Sequence, residues 1–476
     1  MNTTRSIIYL TLLCLAAGMV SSCNKWLDVE PNSQIKSSEL FKTESGFKEA
    51  LAGVYTLMTA ESLYGKELQY GMNGVLSHEW TSFPLVYNEE AEYDYQATNV
   101  QNRINSVWNG LYQGISNSNY MLNEIDAKRS MFTDDNFAII KGEALALRAF
   151  LHFDLVRLFG ASYLVDMNKP AIPYVTQYTA KQTPQSTVKE TYELILRDLE
   201  AAKELLEVDP IFTGRVITEA DDNGYLLNRQ LHLNYYAVEA LLARLYYYTG
   251  AYEKARIAAN AVITSGKFTY TTQANLSAGN DLTGAPEHIF GLNINNLYNY
   301  SDLYLSKDRL ISNTFFLSAA ARSAYYPEGS VDYRYIYLFE VGEGDKASNY
   351  YLKKYNAPVA SNLYYRNKSV VIKISEMQFI IAGSNLAEGK SIIGPLNKVR
   401  LARGLTALTV EPAEPTITFL EEFRKEFFGE GQLFYQYKRL NRTIITGTDK
   451  NLVALKAYIL PLPVAEYESG NRNSNR

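Results

Sequence analysis

Two helical stretches, residues 228–249 and 252–265, lie almost end to end and are broken only at Gly250. One glycine leaves room for nothing longer than a tight turn, so the pair must run antiparallel and share a face. Ala243, Tyr246, Gly250, Tyr252, Ala255, Ala259 and Val262 fall at the spacing of a tetratricopeptide-type repeat. The small residues let the helices approach, and the tyrosines fill the gap between them. A weaker echo precedes it, with Ala144, Ala149, Phe153 and Gly160 followed by Tyr192, Leu199 and Ala202. Its inter-helix segment, 161–186, is much too long for a standard repeat. A generic helical hairpin is the alternative, but repeat-like helices also explain Ala-rich faces beside large aromatics.

Other periodic stretches frame this pair. Residues 44–59 place Phe47, Leu51, Val54, Tyr55 and Met58 at helical spacing. Residues 104–125 do the same with Val107, Trp108, Leu111, Ile115, Met121 and Leu122. A long helix over 134–159 is stopped by Gly160, read as a C-terminal glycine. Thr187 with Glu190 three residues on forms a capping box for a helix reaching about Leu206. Later helices are expected over 373–404, interrupted near 388–390, and over 417–428. Residues 65–99 read as loop, and over 269–367 Gly, Asn, Ser and Tyr dominate while helical periodicity fades.

Composition narrows the function classes. The 476 residues are 47% hydrophobic and 20% charged, a globular balance. With 46 basic and 51 acidic residues the net charge is −5, which disfavours phosphate-backbone binding and hence nucleic acid. Only 2 cysteines exclude a disulfide scaffold or a four-thiolate zinc site. Arg5 followed by the short apolar run 7–17 reads as a secretory signal, too short to span a bilayer. The run ends in Val20-Ser21-Ser22-Cys23, which looks like a lipobox, with residues 1–22 removed and Cys23 lipidated. The alternative is an ordinary cleaved signal with an incidental cysteine. With Cys14 discarded and Cys23 acylated, no thiol remains for a metal or a disulfide. No later segment reaches transmembrane length without charges, so the chain is anchored rather than spanning.

The stretches 23–31, 141–160, 376–405, 422–439 and 460–463, taken in this order, together resemble the SusD/RagB family of outer-membrane lipoproteins. Cys23-Asn24-Lys25-Trp26-Leu27-Asp28-Val29-Glu30-Pro31 is similar to its mature start. Lys141-Gly142-Glu143-Ala144, Leu147-Arg148-Ala149-Phe150 and the run from Phe153 to Gly160 resemble its most recognisable helix. Glu376-Met377, Leu396-Asn397-Lys398-Val399-Arg400 and Gly404-Leu405 match later segments. Glu422, Arg424, Lys425, Glu426, Glu430, Gly431, Lys438 and Arg439 sit on a shared helix and turn, and Leu460-Pro461-Leu462-Pro463 resembles its closing motif. Departures fall at Gly429, Gln432, Leu433 and Gln436, and Lys25 stands where surface-export signals tend to be acidic.

The resemblance implies a mainly α fold, with tetratricopeptide-like helix pairs as scaffold and long irregular loops as the ligand site. It implies a non-catalytic protein on the outer membrane, facing the cell exterior and held by lipid at Cys23. Such a protein captures oligosaccharide, or peptide in some branches, and caps a SusC-like TonB-dependent transporter as its lid. The length prior of about three domains gives way to one domain over 23–476, because the motifs spread across it. Its helical part covers about 40–268 and its loop-rich part about 269–476. The shared charged residues, Glu143 and Arg148 or Glu426 and Lys425, are expected as helix-packing ion pairs and solvated faces.

Sugars present CH faces and hydroxyls, which proteins meet with flat aromatic rings and with Asn, Asp, Arg and Tyr. Two loop tracts carry that mixture. The first holds Trp80, Phe83, Tyr87, Asn88, Tyr93 and Tyr95; the second holds Tyr298, Tyr300, Tyr304, Arg322, Tyr325 and Tyr326. Trp80 is the leading stacking candidate, against the alternative that it pins a loop to the core. Trp108 reads as core and Trp26 as a contact to transporter or membrane interface. The four histidines show no metal spacing, no nucleophile, phosphate or dinucleotide motif occurs, and no cofactor is expected. His152 is expected as a hydrogen-bonded core histidine. Asp221, Asn223 and Gly224 match part of a calcium loop but lack its closing carboxylate, so they are expected as a solvated turn. A lipid-anchored glycoside hydrolase is the remaining alternative.

Overall fold

A computed structural model describes residues 37–279, 281–356 and 366–476. The signal peptide, Cys23 and Trp26 lie outside the described residues. The fold is mainly α-helical. Helix α1 (Glu44–Met58) is capped by the Thr43 hydroxyl, which accepts from the Gly46 amide at 3.2 Å, and it buries the five apolar residues that its periodicity marks. Helix α2 (Thr98–Ile125) starts six residues before the expected boundary. Helix α3 (Asn136–Phe159) is buried nearly all round, with α1, α2 and helix α4 (Val188–Leu205) packed on it. The Thr187–Glu190 capping box at the start of α4 forms as expected.

Gly160 ends α3 for a different reason from the one expected. Its φ is −91°, an extended conformation and not the left-handed turn of a C-terminal glycine. A Cβ there would lie 2.8 Å from the Val156 carbonyl oxygen, so close approach is what requires glycine. The long segment between α3 and α4 carries a small antiparallel ribbon, β1 (Pro170–Pro173) with β2 (Gln185–Thr187), and leaves the helices packed together.

The second pair is α5 (Tyr235–Thr249) and α6 (Tyr252–Thr264), with Gly250 in the left-handed region at φ +80°. Helix α5 begins seven residues later than expected. Asn228 is itself left-handed, and the Asn234 side chain caps the Ala237 amide. The tyrosine that fills the core here is Tyr247, not Tyr246. The Arg439 guanidinium stacks 3.4 Å from its ring centroid, while Tyr246 stays half-exposed.

The region expected to be irregular contains two small sheets and short helices. Strand β3 (His288–Asn293) pairs antiparallel with β7 (Lys368–Lys373). Strands β4 (Leu317–Ser318), β5 (Phe339–Val341) and β6 (Asn349–Leu352) form a sheet in the order β4-β6-β5. Helices α7 (Ile374–Ala387) and α8 (Ile393–Ala402) show the expected interruption, and α9 (Pro415–Glu426) leads through Gly429 and Gly431 into α10 (Gln432–Arg439). Both glycines have φ near +70°, and a Cβ on Gly431 would lie 2.1 Å from the Leu68 carbonyl oxygen. The closing segment docks on the end of α3. The Leu460 amide donates to the Leu158 carbonyl at 3.1 Å, and the Lys438 ammonium donates to the carbonyls of Arg157 and Leu158. Among the described residues no helix is long and apolar enough to cross a membrane.

The shared charged residues are ion-paired but not solvated, which corrects that part of the expectation. Glu143 is fully buried, where it accepts from Arg229 at 2.6 Å and from the Tyr55 hydroxyl at 2.7 Å, with the His232 Nδ1 at 2.9 Å. Burial alone would raise its carboxyl, but Arg229 and His232 outweigh that and hold it at about 2. Arg148 forks onto Asp198 at 2.6 and 2.8 Å. Glu426 and Lys425 pair with other residues, Glu426 with Arg403 and Arg334, Lys425 with Glu422 and Glu328. These faces are buried because each helix is covered by another on the side that carries the charge. His152 is a core histidine as expected. Val175 donates to its Nε2 at 3.0 Å, its Nδ1 faces the Arg148 carbonyl at 2.8 Å, and burial lowers its pKa to about 3.

Two outcomes follow from these buried charges. Removing one partner of a buried pair leaves the other uncompensated, so Glu143→Ala should cost about 3–5 kcal/mol in a denaturant titration. A loss under about 1 kcal/mol would refute the hub role, since that is the range of an exposed pair. The second concerns Glu79, which is fully buried. Burial pushes its carboxyl up to about 8, against the Gly429 amide and the Arg424 charge, which act downward. The unfolded value is near 4.5, so the folded state keeps a proton that the unfolded chain releases. Its stabilising contribution is therefore complete below about pH 4.5 and is lost progressively as the pH rises to about 8. Glu79→Gln should flatten that slope and leave the variant more stable than the parent at about pH 8. Denaturation midpoints that fall equally with pH in both proteins would refute it.

Candidate ligand groove

The chain brings its two aromatic tracts together around Phe315. The rings of Tyr70, Trp80 and Tyr87 lie 5.8, 5.4 and 5.4 Å from it, and that of Tyr304 lies 6.5 Å away. Backbone pairing fixes the junction. The Phe316 amide donates to the Ser82 carbonyl at 3.1 Å, and the Ser318 amide donates to the Thr81 hydroxyl at 2.6 Å.

Burial divides the candidates. Trp80 is only 3% exposed; its Nε1 donates to the Tyr70 carbonyl at 2.9 Å, and its ring meets Phe428 edge-on. It pins a loop to the core and presents no stacking face. Tyr87, Tyr93, Tyr95 and Tyr326 are buried for the same reason. Each buries its ring and gives its hydroxyl to an internal acceptor: Glu67, Leu76, Ala457 and Lys425 respectively. Arg322 is clamped between the rings of Tyr335 and Tyr350, at 3.3 and 4.1 Å. Asn88 is exposed, and Tyr298, Tyr300, Tyr304 and Tyr325 are half-buried. Of these, the Tyr325 ring is covered by Arg424 and the Tyr298 ring by Arg366. Trp108 is core, as its place in a helical stripe implies.

Beside Tyr304 lies an open groove of about 620 Å³. One wall is α2, which contributes Asn99, Asn102, Arg103 and Ser106 at helical spacing. The other is the turn around 61–67, which contributes Glu61, Ser62, Lys66 and Glu67. Its floor is layered. Arg103 lies 4.0 Å over the Tyr87 ring and Lys66 lies 4.2 Å over the Tyr304 ring. Arg103 bonds Glu90 at 2.6 Å, Glu67 at 3.2 Å and the Val86 carbonyl at 3.0 Å. Lys66 reaches Glu61 at 2.6 Å and Glu67 at 3.1 Å, and the Tyr304 hydroxyl donates to Glu61 at 2.8 Å. Burial raises the Glu61 carboxyl, but Lys66 outweighs it and keeps the group ionised. The arrangement is an ion-paired polar surface on which the Asn102 amide, the Ser106 hydroxyl and the Glu61 carboxylate are accessible, suited to a ligand rich in hydroxyls.

None of the lining residues was a candidate from the sequence: Glu61, Ser62, Lys66 and Glu67 of the turn were missed along with the α2 wall. Asn99, Asn102, Arg103 and Ser106 form an i, i+3, i+4, i+7 stripe opposite Val100, Ile104, Val107 and Leu111, which is the only signal they carry. No cluster of His, Cys, Asp and Glu suited to a metal occurs among the described residues. The Asp221 loop is a turn, its carboxylate accepting from the Thr218 amide and hydroxyl at 2.8 and 2.7 Å.

Residues 25–215 match the SusD-like family described as "Starch-binding associating with outer membrane". The chain is 24% identical over 279 residues to SusD-like protein P38 of Formosa agariphila, covering 57% of this chain and 48% of that protein. It is 25% identical over 205 residues to SusD-like protein P2 of the same organism, covering 42% and 38%. The matched stretches thus span about half or less of these relatives. A SusD superfamily protein from Bacteroides thetaiotaomicron superposes with a TM-score of 0.71 at 23% identity, covering 91% of this chain and all of that one. A SusD-like carbohydrate binding protein from Bacteroides vulgatus superposes with a TM-score of 0.66 at 20% identity, covering 84% of each. Over residues 25–215 the chain is thus similar to the SusD-like family, and its fold is that of the SusD-like structures.

Proposed function

We propose that the protein is a non-catalytic lipoprotein of the outer membrane, anchored at Cys23, that captures oligosaccharide in the groove between α2 and the 61–67 turn. It passes the ligand to a SusC-like TonB-dependent transporter and serves as its lid at the cell surface. Residues 23–476 act as one unit in this reading. The observation that carries it is the convergence of both aromatic tracts on a hydrogen-bonding groove with Tyr304 at its side. Likeness over residues 25–215 to a family described as starch-binding and associated with the outer membrane supports glycan capture there. The ligand contacts fall to Asn102, Ser106, Glu61 and Tyr304, with Tyr300 one turn before Tyr304 on its helix and Asn88 at the rim.

Titration of the detergent-solubilised chain against glycan and peptide panels tests this. Asn102→Ala and Ser106→Ala each remove one exposed hydrogen-bonding group, worth about 0.5–1.5 kcal/mol, and should weaken glycan binding about 2–10-fold without shifting the melting temperature. Unchanged affinity in both would exclude the groove, and binding confined to peptides would replace glycan by peptide.

A further inference from the structure

We propose that the groove selects uncharged saccharides and turns away glycans bearing uronate or sulfate groups; this rests on the groove being the ligand site. The selection follows from which charges are covered. Lys66 and Arg103 are the cations of the lining, and their side chains are only 7% and 15% exposed. Both are already held by carboxylates. Lys66 sits between Glu61 and Glu67, and Arg103 between Glu67 and Glu90, with a further bond to the Val86 carbonyl. Aromatic rings cover their remaining faces. An anionic sugar entering here finds no cation that is not already neutralised.

The acids are disposed the other way. The Glu61 side chain is 38% exposed. Lys66 and Tyr304 both bind its Oε1, which leaves Oε2 of this groove-lining residue able to accept from a ligand. At the rim Glu89 holds Asn99 at 2.9 Å, and that bond keeps its carboxyl ionised. Sugar hydroxyls donate to such carboxylates in charge-assisted bonds. A uronate or sulfate placed on the same surface meets like charge, which specific interfaces use to reject wrong partners.

The test uses the full chain in a detergent without a sugar headgroup. Calorimetry is run with neutral gluco-, xylo- and manno-oligosaccharides, and with oligogalacturonate and a sulfated galactan oligosaccharide of matched length. The expected result is at least one neutral ligand bound about tenfold or more tighter than either acidic one. Glu61→Gln should narrow that ratio, weakening the neutral ligand and strengthening the acidic ones, with the larger change at low salt. Glu89→Gln, at a partly exposed position beside the lining residue Asn99, should narrow it in the same direction and guards against a folding defect at Glu61. An acidic glycan bound as tightly as the best neutral one, or a ratio that neither variant moves, overturns the charge rule while leaving the groove as ligand site. Binding of neither class overturns the site itself and this inference with it.

Discussion

The carboxylate of Glu426 is buried where three cations meet. Arg403 bonds it at 2.6 and 3.0 Å, Arg334 at 3.1 Å, and Lys373 stands 3.3 Å away. Arg403 also forks onto Glu287 at 2.7 and 2.8 Å, and Lys373 also holds Glu430 at 2.8 Å. These residues come from α9, the end of α8, the edge of β7, the helix Tyr333–Tyr337 and the turn before β3. A buried charge without its partner is strongly destabilising, so the elements cannot slide past one another one residue at a time. The network fixes the register of the C-terminal half, and the left-handed glycines at 429 and 431 then set where α10 leaves it.

That exit matters for the other half. Arg439 on α10 stacks on Tyr247 of the repeat-like pair, and Lys438 caps the carbonyl end of α3. Gly431 presses against the Leu68 carbonyl, which directly follows the turn that builds one wall of the groove. The groove is thus held from behind by the same turn that follows the ionic network. Its aromatic support at Phe315 lies on the segment leading into β4, whose sheet is completed by β6 and β5.

How much of this was legible in sequence depended on whether the relevant partner was close along the chain. Helix α1 was plain because Phe47, Leu51, Val54, Tyr55 and Met58 repeat within it, and the Thr187–Glu190 cap is a four-residue pattern. The start of α2 was hidden, since Thr98–Arg103 is polar on the groove side and no side chain caps it. Strand β7 was hidden because its partner β3 lies far away in sequence and its own lysines are buried. Trp80 and Tyr304 are equally aromatic on paper. Trp80 is buried against Phe315 and Phe428, whereas Tyr304 is half-buried at the edge of the same cluster beside the groove, and only the fold separates them. The buried charges read as solvent-facing for the same reason, because the helices that cover them arrive from elsewhere in the chain.

Four of the loop tyrosines acquire a common explanation from this separation. Tyr87, Tyr93, Tyr95 and Tyr326 each combine a buried ring with a satisfied hydroxyl, so they cement loops that have too few aliphatic residues to form a core of their own. Rings beneath Arg103 and Lys66 do further work, since they hold two long cationic side chains in one conformation before any ligand arrives. A groove floored in this way loses little side-chain freedom on binding, and that freedom is a main cost of recognising a flexible, hydroxyl-rich chain. Tyrosine therefore serves the groove chiefly from below, by supporting the polar surface, while in the proposed mode of capture the contacts fall to the Asn102 amide, the Ser106 hydroxyl and the Glu61 carboxylate beside Tyr304.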